Sequence, residues 1–145
     1  GSGVPFAFAA RLARPDDMSL EILLWLAERG AAACGLEQGA LLTALEAVRD
    51  RPMSTPTRLR LYVHTLKLRL ARGEFADAAK AAEIAMRIAP RDPMPRYLAA
   101  EVALAMGDRA AGRRWLDEGR VLAREQRADF AQIEAGLARA LDAPR

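Results

Sequence analysis

The chain repeats itself at an offset of 34 residues, and this constrains its folding more than any single residue does. The segment LARGEFADAAKAAEIA (Leu70–Ala85) returns as LAMGDRAAGRRWLDEG (Leu104–Gly119). Leu70 answers to Leu104, Ala71 to Ala105, Gly73 to Gly107, Ala78 to Gly112 and Ala85 to Gly119. A period of this length marks helix–turn–helix units that cannot bury their apolar faces alone and must pack on neighbours. Proteins of that build mostly bind other proteins, so the repeat points to recognition before it points to catalysis.

The 145 residues suit one domain, and a composition of 52% apolar and 28% charged residues is that of a globular chain. The apolar run in Leu20–Leu26 is interrupted by Glu21, followed closely by Glu28, and is far shorter than the ~18 residues of a membrane span. Gly1-Ser2-Gly3 reads as a remnant of tag removal, so the expectation is a tail over residues 1–17 and a folded region over 18–145. Arginine outnumbers lysine 20 to 2 and Asn is absent, a composition typical of a GC-rich bacterial gene. The net charge of +3 invites a nucleic-acid reading. Acidic residues interleave with arginine almost everywhere, as in Arg113-Arg114-Trp115-Leu116-Asp117-Glu118, and this mixing describes solvated helix faces better. No nucleic-acid partner is therefore expected.

Seven helices are expected. The first runs from a cap at Asp17 or Ser19 to about Ala33, with Gly30 inside it and Gly35 beyond its end. The second covers Glu37–Asp50, with Leu41, Leu42, Leu45 and Val48 as its apolar stripe. Pro52 and Pro56 make the next stretch a loop. Helices then follow over 57–72, 75–89, 94–106 and 109–123, with Gly73 and Gly107 each ending the first helix of a pair in the left-handed conformation glycine adopts most cheaply. Asp129 and Gln132 form a capping box for a last helix over 130–141. Nothing alternates with the period of a strand.

Tyr62, Gly73, Glu74-Phe75, Ala78, Ala85 and Pro90 occur in an order that resembles the tetratricopeptide repeat. The second unit departs from that pattern: Gly112 and Gly119 replace alanines, Arg124 stands where proline belongs, and the aromatic of the first helix is displaced to Tyr97. The resemblance implies an all-α, TPR-like α-solenoid of antiparallel helix pairs with about seven helices. It divides into a degenerate capping pair over 18–55, repeats over 56–91 and 92–124, and a capping helix over 128–142. It also implies a concave groove lined by the first helix of each unit: Arg60, Val63, His64, Lys67 and Leu70 from one, Tyr97, Glu101 and Leu104 from the next. The Asn-based carboxylate clamp of some family members has no counterpart in a chain without asparagine.

Chemistry-bearing residues are sparse. One cysteine (Cys34) and one histidine (His64) supply neither a metal-ligand set nor a nucleophile–base pair, and no phosphate-binding glycine loop is present. No cofactor, no metal and no enzymatic activity are expected. Trp25 and Trp115 lie beside leucines at helical spacing, which places both in the core. Arg109, Arg113 and Arg120 share a stripe that reads as a solvated outer face. The expected function is a non-enzymatic scaffold or adaptor that binds an extended or helical segment of a protein partner within a bacterial assembly. It is expected to insert into no membrane itself and to lie in the cytoplasm or periplasm. The alternative is the soluble tail of a membrane-bound bacterial polysaccharide-polymerising or glycan-transferring protein, suggested by the apolar run Val4–Ala10 and the irregular first helix pair.

Overall fold

The computed structural model describes residues 20–29 and 37–144. Among them lie seven helices and no strand: α1 (Leu20–Arg29), α2 (Gln38–Val48), α3 (Thr55–Ala71), α4 (Phe75–Ile88), α5 (Met94–Ala105), α6 (Arg109–Glu125) and α7 (Ala131–Asp142). The protein is all-α. Gly30, Cys34 and Gly35, with the ends expected for the first helix, lie outside the described residues. The chain divides into two compact units, Gly1–Leu68 and Arg69–Arg145, so the boundary falls inside α3 rather than in a loop.

Within the first unit the core is aliphatic. Leu23, Leu24 and Leu26 of α1 meet Leu41, Ala44, Leu45 and Val48 of α2 and Leu61 of α3. With inward positions taken by these leucines, the opposite face of α1 carries Ile22 and Trp25, three residues apart. Trp25 is 47% exposed with the Arg29 guanidinium 4.7 Å above its ring, so it is not the core residue its spacing suggested. The α2–α3 loop is closed by Arg58, which donates to the carbonyls of Arg49 (2.8 Å) and Arg51 (3.1 Å). These lie at and just beyond the C-terminal end of α2, where carbonyls lack helical partners and a cation is favoured. Ser54 accepts the Thr57 amide hydrogen at 3.3 Å and so caps α3, with Pro56 in the first turn where its missing N–H costs nothing.

Small residues dominate the second unit. Ala78, Ala81, Ala82 and Ala85 of α4 are all buried. Helices α5 and α6 run antiparallel, shown by the approach of Gly112 to Leu104 and of Gly119 to Tyr97. The turns before α4 and α6 are closed by the same bonds. Glu74 N–H donates to the Arg69 carbonyl and Gly73 N–H to that of Leu70; Asp108 N–H and Gly107 N–H do the same to Ala103 and Leu104. Gly73 and Gly107 have φ of +75° and +79°, which costs a residue bearing a Cβ about 1–2 kcal/mol. The Asp108 carboxylate then accepts the Ala111 amide hydrogen at 3.0 Å and caps α6.

Where the first repeat closes with Pro90, the second has Arg124, and with no proline to stop it α6 continues to Glu125, two residues past the expected end. Helix α7 then runs antiparallel to α6 and parallel to α5. Its first turn meets Tyr97 and Arg120 through Glu134, and its last turn meets Arg109 through the Leu141 carbonyl (3.0 Å) and Arg113 through Asp142 (3.2 Å). In the stripe, Arg109 and Arg120 are half-buried and reach the Leu141 carbonyl and Glu134 of α7, whereas Arg113 stays exposed beside Asp142. Trp115 is half-buried against the cluster of Tyr97, Ala100, Leu116, Leu137 and Leu141, with Arg114 4.9 Å above its ring.

Candidate partner-binding trough

Four of the eight expected groove residues lie in the first unit, where α3 meets α1. The Arg60 guanidinium straddles two carboxylates, donating from Nε (3.0 Å) and Nη2 (2.6 Å) to Glu28 and from Nη1 to Glu21 at 3.3 Å. Hydrogen bonding to Arg60 holds the Glu28 carboxyl below its ordinary range. Beside them His64 retains 14% of its side-chain exposure, with Nε2 3.7 Å from Glu28. Burial lowers its imidazole pKa, outweighing the attraction of Glu28. Arg60 and His64 are thus already engaged with α1. Val63 is half-buried and Lys67 exposed.

The other four lie in the second unit, and three of them come together. Leu70, Glu101 and Leu104 line a cleft of about 550 Å³ with Phe75, Ile133 and Leu137. Its floor is the face of α5 that presents Glu101 and Leu104 one turn apart, and one wall is α7. Tyr97 is the exception: expected in the groove, it is fully buried. A one-residue displacement turns a side chain about 100° around a helix, and here it aims the ring at α6 instead of the open face. The ring occupies the volume a side chain at Gly119 would need, since a Cβ there would fall 2.6 Å from Tyr97 Cε1. Phe130 packs on it at 5.3 Å between centroids, tilted by 49°. The hydroxyl donates to Glu134 at 2.6 Å. Burial first, and then that hydrogen bond, raise the phenol's pKa well above its ordinary value.

Reading the sequence by the first helix of each unit missed Phe75, Ile133 and Leu137. Phe75 was noted as half of an acidic–aromatic pair, but not for where its ring goes. Its neighbour Glu74 is clamped by Arg72, whose Nε donates at 2.7 Å, and by Arg69, and its carboxyl is held below the usual range. Ile133, Leu137 and Ala140 recur at helical spacing, a signal that was available and was absorbed into a capping role. Among the described residues no three His, Cys, Asp or Glu side chains converge on a metal-sized site, and no helix is long and apolar enough to cross a membrane. Comparison of the chain with protein-family models, with curated proteins and with solved structures gives no match.

Proposed function

We propose that this chain is a non-enzymatic protein-binding module, built as a short stack of tetratricopeptide-type hairpins, that receives an apolar segment of a partner in the trough between α5 and α7. The observation that carries the proposal is the cleft of about 550 Å³ in which Leu70, Phe75, Leu104, Ile133 and Leu137 leave apolar surface open to solvent around Glu101. Apolar clefts with a few polar groups at the edge are how helical and extended peptides are usually held. Two features support the stacked-hairpin reading. The turns at Gly73 and Gly107 are 34 residues apart and share their hydrogen bonds. Helix α7 lies parallel to α5 and antiparallel to α6, as the first helix of a following unit would.

Affinity capture with the chain as bait tests the proposal when it is run beside Leu104→Glu and Ile133→Glu. Both sites are half-buried on the cleft wall, so charge there should abolish capture of the same partner while the circular-dichroism spectrum is retained. Capture that both variants leave intact would move binding off this face.

A further inference from the structure

A third turn of the second unit has the backbone of the Gly73 and Gly107 turns but not their residue. After α6, Ala128 N–H donates to the Ala123 carbonyl (2.9 Å) and Arg127 N–H to that of Arg124 (3.2 Å), the same pair of bonds that closes the two glycine turns. The left-handed position is Arg127, with φ +52°, and it is the only non-glycine residue with positive φ among the described residues. A side chain there carries the steric penalty that glycine avoids in the two sister turns. A cation near a helix C-terminus is ordinarily favourable, and this accounts for Arg124 in the last turn of α6. It does not account for choosing the strained position for a second arginine. Backbone strain kept against a cheaper residue points to a use for the side chain.

That side chain borders a recess of about 500 Å³ at the elbow between α6 and α7, lined by Arg120, Arg124, Arg127, Asp129, Phe130 and Glu134. The charges in it are unevenly committed. Glu134 accepts the Tyr97 hydroxyl hydrogen and lies 3.6 Å from Arg120, which also lies 3.9 Å from Asp117. Asp129 accepts the Ala131 amide hydrogen at 3.0 Å, at the start of α7. Arg124 and Arg127 are both exposed, and among the described residues neither guanidinium is in an ion pair or hydrogen bond. The recess therefore presents two unneutralised planar forks beside the half-buried ring of Phe130.

We propose that this elbow is a second binding site, which takes an acidic protein segment: a carboxylate side chain held by Arg124 and Arg127, with an adjacent apolar residue against Phe130. Two forks match carboxylate geometry. The carboxylates of Asp129 and Glu134 in the same recess disfavour a run of phosphates such as nucleic acid. The site is separate from the α5–α7 trough and does not depend on it.

The test uses the full chain and a fluorescent peptide of alternating Glu and Leu, with inorganic phosphate and an oligodeoxythymidine as competitors. Arg127→Gly and Arg124→Gln should each weaken peptide binding about tenfold, the scale of one charge-assisted hydrogen bond, while Leu104→Glu leaves it unchanged. Arg127→Gly should also melt at or above the wild-type temperature, because it relieves the left-handed residue. Loss of binding together with gain of stability separates a ligand contact from a structural role. Binding unaffected by both variants, a lower melt for Arg127→Gly, or displacement by the oligonucleotide or phosphate as readily as by unlabelled peptide would overturn the proposal.

Discussion

In the unit ending at Leu68, helices are held apart by bulky aliphatic side chains, whereas in the unit that follows they are drawn together by residues with almost no side chain. Leu23, Leu24, Leu41, Leu45 and Leu61 fill the first core with branched leucines that can shift to accommodate change. The second core sets a single large ring, Tyr97, against Gly119, with alanines along α4 and Gly112 beneath Leu141. A leucine core accepts volume-conserving swaps at single positions by repacking. A ring seated on a glycine concentrates the fit in one pair. The polar groups follow suit: in the first unit the charges ring the outside of α1 and α3, and in the second one buried hydroxyl ties α5 to α7 through Glu134.

The largest effect should come from breaking that pair. Tyr97→Ala should destabilise the second unit by about 3–5 kcal/mol, on the scale of other buried aromatics truncated to alanine. Gly119→Ala alone should cost about 1–3 kcal/mol by overpacking against the ring. In a Tyr97→Val background the same Gly119→Ala change should cost little or become favourable. Denaturant unfolding of the four proteins measures the coupling, and simple additivity would show that ring and glycine are not one fitted unit. The sequence 34 residues earlier has Val63 and Ala85 at the equivalent positions, the other way of dividing the same volume.

A smaller effect is expected where α7 is held on by arginine. Arg109→Ala with Arg113→Ala removes the bonds to the Leu141 carbonyl and to Asp142 and should leave the α5–α6 pair folded. Amide hydrogen exchange should then lose protection in the last turns of α7 alone, the local opening such a weakly tethered end allows. Uniform loss of protection across the unit would show that these arginine bonds support the whole unit and not only the last turns of α7.

The smallest effect is a pH dependence confined to the first unit. Burial holds the His64 pKa below its ordinary value of about 6.5, so the unfolded chain binds the proton more readily. The stability that follows is present in full above about pH 6.5 and is lost as the pH falls toward the lowered folded-state value. His64→Gln should flatten the thermal melt from about pH 7 to about pH 5. The Arg60-linked Glu28 carboxyl acts further down, since its folded value is depressed and its contribution fades only as the pH falls through the carboxylate range. A slope that persists between about pH 7 and pH 5 in His64→Gln would show that His64 is not its source.

What the sequence by itself determined is local and periodic. The order of the helices among the described residues and the turns at Gly73 and Gly107 were readable from it. Caps and left-handed turns act within a few residues of where they are written. Leu104 and Glu101 were expected on an open face from the resemblance to the tetratricopeptide repeat, and both line the trough. Tertiary structure decided what depends on a partner element. It turned Tyr97 inward because a glycine on α6 made room, and put Trp25 outside because neighbouring leucines had taken the inner face. It spent Arg109 and Arg120 on α7, and made Ile133 and Leu137 a wall of the trough. A helical repeat specifies which face each side chain shares, but only the packed neighbour determines whether that face is covered, and by what.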